Sequence, residues 1–168
     1  MSRFALWAPW RINYILDDTP KQKEKEKECL FCRLHQEDQD RTNLVLARSR
    51  QSYVLLNRYP YSSCHLLVLP MTHVADLNDL QAESYTDLML LLKKSTGFLQ
   101  QALNPAGLNI GLNLGKAAGA GIEDHLHFHI VPRWHGDHNF MPVIADTMVM
   151  PQYLDDSYTK LKPFFTTV

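Results

Sequence analysis

The sequence predicts an α+β fold in which an antiparallel sheet of about five strands packs against one long helix, with a second helix near the C-terminus. Three observations lead to this prediction. Short apolar or alternating runs follow one another mostly through short turns, and one long segment repeats apolar residues at helical spacing. The chain has 168 residues, of which 45% are hydrophobic and 21% charged, as in a globular domain with a real core.

The predicted strands differ in their patterns. The first three are largely apolar and end near turn residues or prolines, which cannot donate into a sheet ladder. The fourth alternates apolar and polar residues, and a small-residue loop separates it from the fifth. The five segments are Leu44–Arg48, Tyr53–Asn57, His65–Pro70, Leu108–Leu114 and Leu126–Pro132.

A long amphipathic helix is predicted from about Ala82 to Leu103. It ends at Asn104 and Pro105, because proline cannot continue a helix. A shorter helix is expected near Gln152–Lys162. The apolar stripe of the long helix is expected to face the core and consists of Tyr85, Leu88, Met89, Leu92, Leu99 and Leu103.

Charge and hydropathy narrow the function classes. Lys and Arg total 17 against 18 Asp and Glu, so the net charge is −1 and no strongly basic face for duplex nucleic acid is expected. No apolar run approaches the roughly 20 residues that span a bilayer. The first residues lack the smooth apolar stretch of a signal peptide. We therefore expect a cytoplasmic protein with no nucleic-acid or membrane partner.

Two regions are expected along the chain. Residues 1–28 form an N-terminal aromatic arm and a charged linker, since the segment 21–28 reads KQKEKEKE and alternates charge without apolar partners. Residues 29–168 form the folded domain, which begins at the turn with the sequence CLFC.

Cys29 and Cys32 have the spacing of a zinc knuckle, in which two thiolates bind one ion. A tetrahedral site needs two further ligands, and the alternative is a reduced pair without metal. The chain has three cysteines, which cannot all pair with one another, and no βαβ pattern supports a thioredoxin-like role.

Three histidines alternate with apolar residues in the run HLHFHIV at 125–131. In a strand, His125, His127 and His129 would share one face, because successive side chains point to opposite sides. The residues between them are expected to face the core: Leu126, Phe128 and Ile130. Core packing does not require such a row. It fits either a metal site or a nucleophilic imidazole whose neighbours bind a charged group.

A glycine-rich loop precedes the histidines. Gly115, Gly119 and Gly121 allow backbone amides to approach a phosphate, and Lys116 adds a cation nearby. A plain flexible turn is the alternative interpretation, and the pattern is not a Walker loop because no Gly-Lys-Ser/Thr opens a helix. Beside the histidine row, the loop favours phosphoryl chemistry.

The histidine run resembles the signature of the histidine triad (HIT) superfamily of nucleotidyl hydrolases and transferases, His-φ-His-φ-His-φ-φ with φ apolar, at every position. The similarity extends upstream through NRYPYSSCHLLVLPMTHV and downstream through VPRWHGDHNFMPVI. With LWAPWRINYI near the start, the chain is most similar to the branch of bacterial diadenosine tetraphosphate phosphorylases. The resemblance covers nearly the whole chain and implies a HIT-like sheet and a catalytic domain over residues 29–168.

The resemblance also implies a mechanism. His127 would attack the α-phosphorus of a nucleotide and form a covalent nucleotidyl-imidazole, which water or inorganic phosphate resolves. His129 would hydrogen-bond the phosphate oxygens. Residues implied to bind the nucleotide are Asn57, at the ribose, His65, Asn113, Gly119, Ala120 and Gly121.

The family pattern further implies that His73 and His125 complete a structural zinc site with Cys29 and Cys32. It implies no organic cofactor, and it implies a homodimer formed by joined sheets and helices. The expected reaction is phosphorolysis of diadenosine tetraphosphate to ADP and ATP. The alternatives are hydrolysis of dinucleotides or nucleotide phosphoramidates, a metal-dependent hydrolase that uses the histidine row as ligands, and a non-catalytic nucleotide sensor.

Two positions depart from the family pattern. The loop reads Ala-Gly-Ala-Gly-Ile at 118–122 where the family usually has Ala-Gly-Gln-Ser/Thr-Val, so side chains that assist the leaving group elsewhere are missing. Cys64 replaces the usual glycine before His65, and we expect it to be a packed small residue rather than a second nucleophile.

Overall fold

The computed structural model describes residues 28–137, 152–166 and 168. In these ranges the strands form one antiparallel five-stranded sheet of order β1-β2-β3-β5-β4, and the predicted α+β fold class is confirmed. The strands are β1 Val45–Arg48, β2 Ser52–Leu56, β3 Leu66–Pro70, β4 Gly107–Leu112 and β5 Phe128–Arg133.

The helices of the described residues include the predicted long helix with the bounds expected from its sequence. Its C-cap, Asn104, adopts a left-handed conformation with φ of 45°, and Pro105 follows. The predicted C-terminal helix is also present but two residues shorter at its start. In the described ranges the α-helices are α1 Leu30–Leu34, α2 Asp40–Asn43, α3 Ala82–Leu103 and α4 Leu154–Leu161. The predicted arm and linker lie outside the described residues, apart from Glu28.

Strand β5 begins two residues later than its sequence predicts. The backbone N–H of Leu126 donates to the carbonyl of Val74 over 2.7 Å, so this segment pairs with the loop that follows β3. The ladder between β4 and β5 begins only with the pair Leu112 and Phe128. His125 and His127 therefore lie in the segment that leads into β5, and His129 lies within the strand.

The main core lies between α3 and one face of the sheet. Leu88, Leu91 and Leu99 are buried there against strand residues such as Val68 and Ile130. The prediction that Tyr85 faces this core is wrong, since its side chain is 45% exposed. The buried stripe of the helix contains serines as well as leucines: Ser84, Leu88, Leu91, Ser95 and Leu99.

A smaller apolar cluster covers the opposite face of the sheet. It contains Phe31 from α1 and alternate residues of β2 and β3, which point away from α3 because side chains alternate along a strand. The members are Phe31, Val45, Tyr53, Leu55, Leu67 and Leu69. The short helix α1 follows Cys29 and contains Cys32. The burial of Phe31 in this cluster fixes the helix on this face of the sheet.

The two edges of the sheet differ. At β1 the C-terminal segment covers the strand: Lys162 Nζ donates to the carbonyl of Leu46 over 2.8 Å, and the Tyr158 hydroxyl donates to the carbonyl of Val45 over 3.2 Å. At β4 most residues are exposed, including Ile110 at 49%. No helix of the described residues combines the length and the apolar character needed to cross a membrane.

Candidate active site and metal cluster

The candidate site lies on the face of the sheet opposite α3. Leu67, which belongs to the apolar cluster of that face, is directly opposite His129 in the β3–β5 ladder. Opposed residues of an antiparallel pair point to the same side, so His129 lies on this face as well. His65 precedes Leu67 by two residues and also reaches this face, where its ring contacts that of His129.

His127 is held by a backbone carbonyl. Its Nδ1 lies 2.8 Å from the carbonyl oxygen of His125, and because a carbonyl can only accept, Nδ1 carries the proton and donates. The other ring nitrogen, Nε2, then has the lone pair that a nucleophile needs. The side chain is only 5% exposed, and burial lowers the pKa of His127, which favours the neutral ring at pH 7.

His65 and His129 form a hydrogen-bonded pair whose tautomers follow from their donors. The backbone N–H of Tyr61 donates to His65 Nδ1 over 3.1 Å, so that nitrogen accepts. The neutral His65 ring therefore has its proton on Nε2, which donates to His129 Nδ1 over 2.9 Å. His129, accepting at Nδ1, carries its own proton on Nε2 in the neutral form.

Asn57 reinforces this tautomer of His65. The backbone N–H of Tyr59 donates to Asn57 Oδ1 over 2.9 Å, which orients the amide so that Nδ2 faces His65 Nδ1 at 3.3 Å. Burial lowers the pKa of His65 to about 3, with His129 and His127 adding to the effect. The ring thus stays neutral at physiological pH.

Phe31 connects the nucleophile candidate to the CLFC turn. The centroid of its buried ring is 5.2 Å from the centroid of the His127 ring and 5.5 Å from that of the His125 ring. The His127 and His129 rings are 5.0 Å apart. The imidazoles are therefore packed against aromatic side chains and one another, which limits the rotamers that they can adopt.

The four residues predicted to bind zinc lie together. Cys29 Sγ is 3.4 Å from His125 Nδ1, and Cys32 Sγ is 3.4 Å from His73 Nδ1 and 3.5 Å from His125 Nδ1. The four donor atoms are all within 4.8 Å of one another. In a tetrahedral zinc site with the usual bond lengths, sulfur and nitrogen ligands are about 3.5 Å apart. The donor set and its spacing therefore fit zinc.

Two further hydrogen bonds orient this Cys/His cluster. His125 Nε2 donates to the carbonyl of Pro70 over 2.9 Å, which leaves Nδ1 as the nitrogen that faces the thiols. The Tyr53 hydroxyl donates to the carbonyl of Phe31, between the two cysteines, over 2.7 Å. Burial lowers the pKa of His125 to about 4, and burial together with Cys29 raises the pKa of Cys32 to about 11.

The glycine-rich loop forms a tight turn whose amides bond internally. Gly115 and Gly119 have positive φ values of 76° and 92°, which glycine adopts without strain. The N–H of Gly119 donates to the carbonyl of Lys116 over 3.0 Å, and the N–H of Ala120 donates to the carbonyl of Gly115 over 3.4 Å. In this conformation the amides of Gly119 and Ala120 donate within the turn, and their predicted binding of phosphate stays a prediction.

Asn113 follows β4 by one residue. The last pair of the β4–β5 ladder at this end joins Leu112 and Phe128, so Asn113 emerges beside the segment that contains His127. Cys64 is 2% exposed and packs in the main core, as expected for a small buried residue. Its φ of 59° is left-handed, the conformation for which the family's glycine is suited.

Sequence reasoning missed three aromatic contacts of the site. The sequence patterns do not single out Phe31, Tyr53 or Tyr61 as residues of the site. Tyr53 has a recognisable signal, since it shares the face of its strand with Leu55. The contacts of Tyr61 depend on how its loop closes, which no periodic pattern specifies.

The fold and the histidine row define the class of protein. The HIT domain family matches residues 38–136, and the chain belongs to this family. Among its relatives, AP-4-A phosphorylase of Mycobacterium tuberculosis is 38% identical over 155 residues, which cover 90% of this chain and 79% of that protein. An adenosine 5′-monophosphoramidase of Schizosaccharomyces pombe is 35% identical over 105 residues, covering 62% of this chain and 74% of that protein.

Solved structures share the same fold. A Zn-bound histidine triad family protein from Mycobacterium smegmatis superposes with a TM-score of 0.65 at 24% identity, over 83% of this chain and 94% of that chain. A histidine triad nucleotide-binding protein from Sulfolobus tokodaii gives a TM-score of 0.63 at 22% identity, over 83% and 93% of the two chains.

Proposed function

We propose that the protein is a nucleotidyl transferase that acts on dinucleoside polyphosphates through His127, with phosphorolysis of diadenosine tetraphosphate to ADP and ATP as its reaction. The observation that supports this most directly is the bond from His127 Nδ1 to the His125 carbonyl, which leaves Nε2 available as a nucleophile. The 38% identity to a protein named AP-4-A phosphorylase, over 90% of the chain, supports the substrate class.

In the first step, His127 Nε2 forms a bond to the α-phosphorus while the bond from that phosphorus to the bridging oxygen breaks and ATP leaves. The product on the enzyme is a covalent adenylyl-imidazole. In the second step, an oxygen of inorganic phosphate attacks the same phosphorus, the P–N bond breaks, and ADP is released. Burial supports this chemistry because a neutral imidazole is the reactive form.

The neighbouring residues have separate roles in the proposal. His129 donates from Nε2 to a phosphoryl oxygen, and His65 fixes the tautomer that makes this possible. Asn57 binds the ribose hydroxyls. Asn113 and the loop residues Gly119, Ala120 and Gly121 stabilise charge on the phosphorus, for which the turn must release the amides that it now uses internally.

We propose that Cys29, Cys32, His73 and His125 hold a structural zinc ion. The ion would supply no chemistry to the reaction and would cross-link the CLFC turn to the segment before β5. The contact between Phe31 and His127 means that fixing this turn also fixes one side of the nucleophile's ring. Metal analysis of the purified protein tests this role, with about one zinc per chain as the expected result.

Assembly is proposed to be a homodimer formed by pairing of β4 strands. The exposed β4 edge, with Ile110 and the following Leu114 at 49% and 42% exposure, supports this arrangement. Residues 1–28 are proposed to be an arm outside the catalytic domain 29–168. Reduced ligand thiols and nucleotide substrates favour a cytoplasmic location.

The relative named as a phosphoramidase supports a second reaction, hydrolysis of nucleotide phosphoramidates, in which water replaces phosphate in the second step. The third possibility, a metal site formed by the whole histidine row, is disfavoured. His127 and His129 each turn Nδ1 to a partner other than the cluster, and only His125 of the three faces the thiols.

The deciding experiment is incubation of the full chain with diadenosine tetraphosphate, with and without inorganic phosphate, and separation of the nucleotides by chromatography. We expect ADP and ATP to form only when phosphate is present. AMP and ATP formed without phosphate would establish hydrolysis instead. Absence of any product, with tight nucleotide binding, would contradict catalysis and favour a nucleotide sensor.

A further inference from the structure

Tyr61 touches both members of the His65–His129 pair. Its ring is nearly parallel to that of His129, with centroids 5.8 Å apart and an angle of 24°. The ring centroid of His65 is 4.8 Å away at 35°. One half-buried side chain therefore covers the two imidazoles that share the 2.9 Å hydrogen bond.

The same residue contributes through its backbone. The Tyr61 N–H donates to His65 Nδ1, the atom whose protonation would reverse the tautomer of the whole pair. If Nδ1 gained a proton, it would face the Tyr61 N–H and the Asn57 amide with no acceptor. The ring packs against both imidazoles, and the backbone N–H donates to His65 Nδ1.

We propose that Tyr61 is a positioning residue, whose ring keeps the His65–His129 pair dry and thereby keeps His129 in the tautomer that donates to phosphate. This inference rests on the proposed function, in which His129 contacts the substrate. Tyr61 acts through the two histidines and does not itself need to touch the reacting atoms.

Burial of His65 is what this role depends on. Its side chain is fully buried, and this desolvation is the largest cause that lowers its pKa to about 3. The titratable groups that face it are His127 and His129 from the β5 segment and Tyr61 from its own loop. Opening this cover to water reduces the desolvation and moves the pKa of His65 back toward its ordinary value.

The test compares Tyr61→Val, which removes the ring and keeps the backbone N–H, with Tyr61→Phe, which keeps the ring. Tyr59→Val is the matched control, because Tyr59 is in the same turn and 70% exposed. Histidine nitrogen NMR of the full chain reads the tautomer and the titration of His65 directly, without substrate. Thermal unfolding shows that each variant is folded.

In the wild type and in Tyr61→Phe we expect His65 to stay in the Nε2–H tautomer down to about pH 4. In Tyr61→Val we expect it to titrate at least one pH unit higher. With diadenosine tetraphosphate as substrate, kcat of that variant should lie about tenfold below its high-pH value at one pH unit below the raised pKa of His65, with KM within twofold, and recover above that pKa. Tyr59→Val should behave as the wild type.

An unchanged His65 titration in Tyr61→Val would overturn the inference, whether or not the wild type turns over any nucleotide. The inference would also be overturned if Tyr61→Phe lost the His65 tautomer as completely as Tyr61→Val, because the hydroxyl and not the ring would then maintain it. A wild type with the expected tautomers and no turnover would contradict the proposed function and leave the positioning role of Tyr61 supported.

Discussion

His125 and His127 belong to the same short segment, yet the structure holds their rings in opposite tautomers. His125 donates from Nε2 to the Pro70 carbonyl and turns Nδ1 to the two cysteines, whereas His127 donates from Nδ1 to the His125 carbonyl and keeps the Nε2 lone pair. The residue type is identical, and the position of one backbone acceptor decides its chemistry. The first ring is suited to binding a metal and the second to attacking phosphorus.

The largest expected effect is at His127, the proposed nucleophile. We expect His127→Asn to lower kcat by roughly 10⁴-fold or more, because no other group at this position supplies the lone pair. Nucleotide binding should be largely retained, since the variant keeps a polar side chain of similar reach. Steady-state kinetics and isothermal titration with a nucleotide measure the two effects. His135→Asn, at an exposed position, is the control, and retained activity in His127→Asn would contradict the assignment.

The proposed metal-binding role of His125 is tested at Cys32, which belongs to the same Cys/His cluster. Cys32→Ser should remove most of the bound zinc and lower the free energy of unfolding by several kcal/mol, because metal binding and folding are coupled. Elemental analysis and denaturant unfolding with and without a chelator measure this. Cys64→Gly, which changes a cysteine outside the cluster at a position of positive φ, should keep the metal. Equal zinc content in the Cys32 variant and the wild type would contradict the site.

Phe31→Leu tests the contact that joins the two histidines. The ring lies against both His125 and His127, so its removal should cost about 1–3 kcal/mol of folding free energy and also lower kcat. Urea unfolding and kinetics provide the two values. Leu30→Ala, beside it and 39% exposed, is the matched control. If Phe31→Leu lowers the folding free energy and leaves kcat unchanged, the contact does not link the Cys/His cluster to the activity of His127.

The smallest expected effect is a pH dependence of stability. The pKa of His65 is about 3 in the folded protein and near 6.5 when the chain unfolds, so at acidic pH the unfolded state binds the extra proton. The stability contributed by the neutral ring is complete above pH 6.5 and is lost as the pH falls toward 3. Between pH 7 and pH 5 this amounts to about 2 kcal/mol. His65→Asn should flatten that part of the unfolding curve measured against pH.

The sequence predicts the fold well where a period specifies it, and spacing singles out Cys29 and Cys32, whereas His73 and His125 enter the Cys/His cluster through the HIT resemblance. Alternation in HLHFHIV correctly places Leu126 and Ile130 in the core, and the helical stripe correctly predicts α3. The prediction fails where a tertiary contact decides. Tyr85 was expected inside because it is apolar, but buried Ser84 occupies the inward position.

Other features of the site also depend on contacts between distant segments. The pairing of Leu126 with Val74 delays the start of β5, and the two residues are 52 positions apart in the chain. The internal hydrogen bonds of the glycine-rich turn are likewise invisible in a pattern that only records small residues. Residue roles implied by the HIT resemblance, such as that of Asn57 at the ribose, remain predictions.

The covered edge of β1 has a consequence for how large an assembly can grow. Lys162 and Tyr158 occupy carbonyls of β1 that another strand would need, so the described part of the sheet can be extended only through β4. If a second copy pairs with β4, the only exposed edge of the described sheet is then occupied. Two copies that pair through β4 would therefore each have this edge covered by the other, and the sheet would end at the β1 edge of each copy.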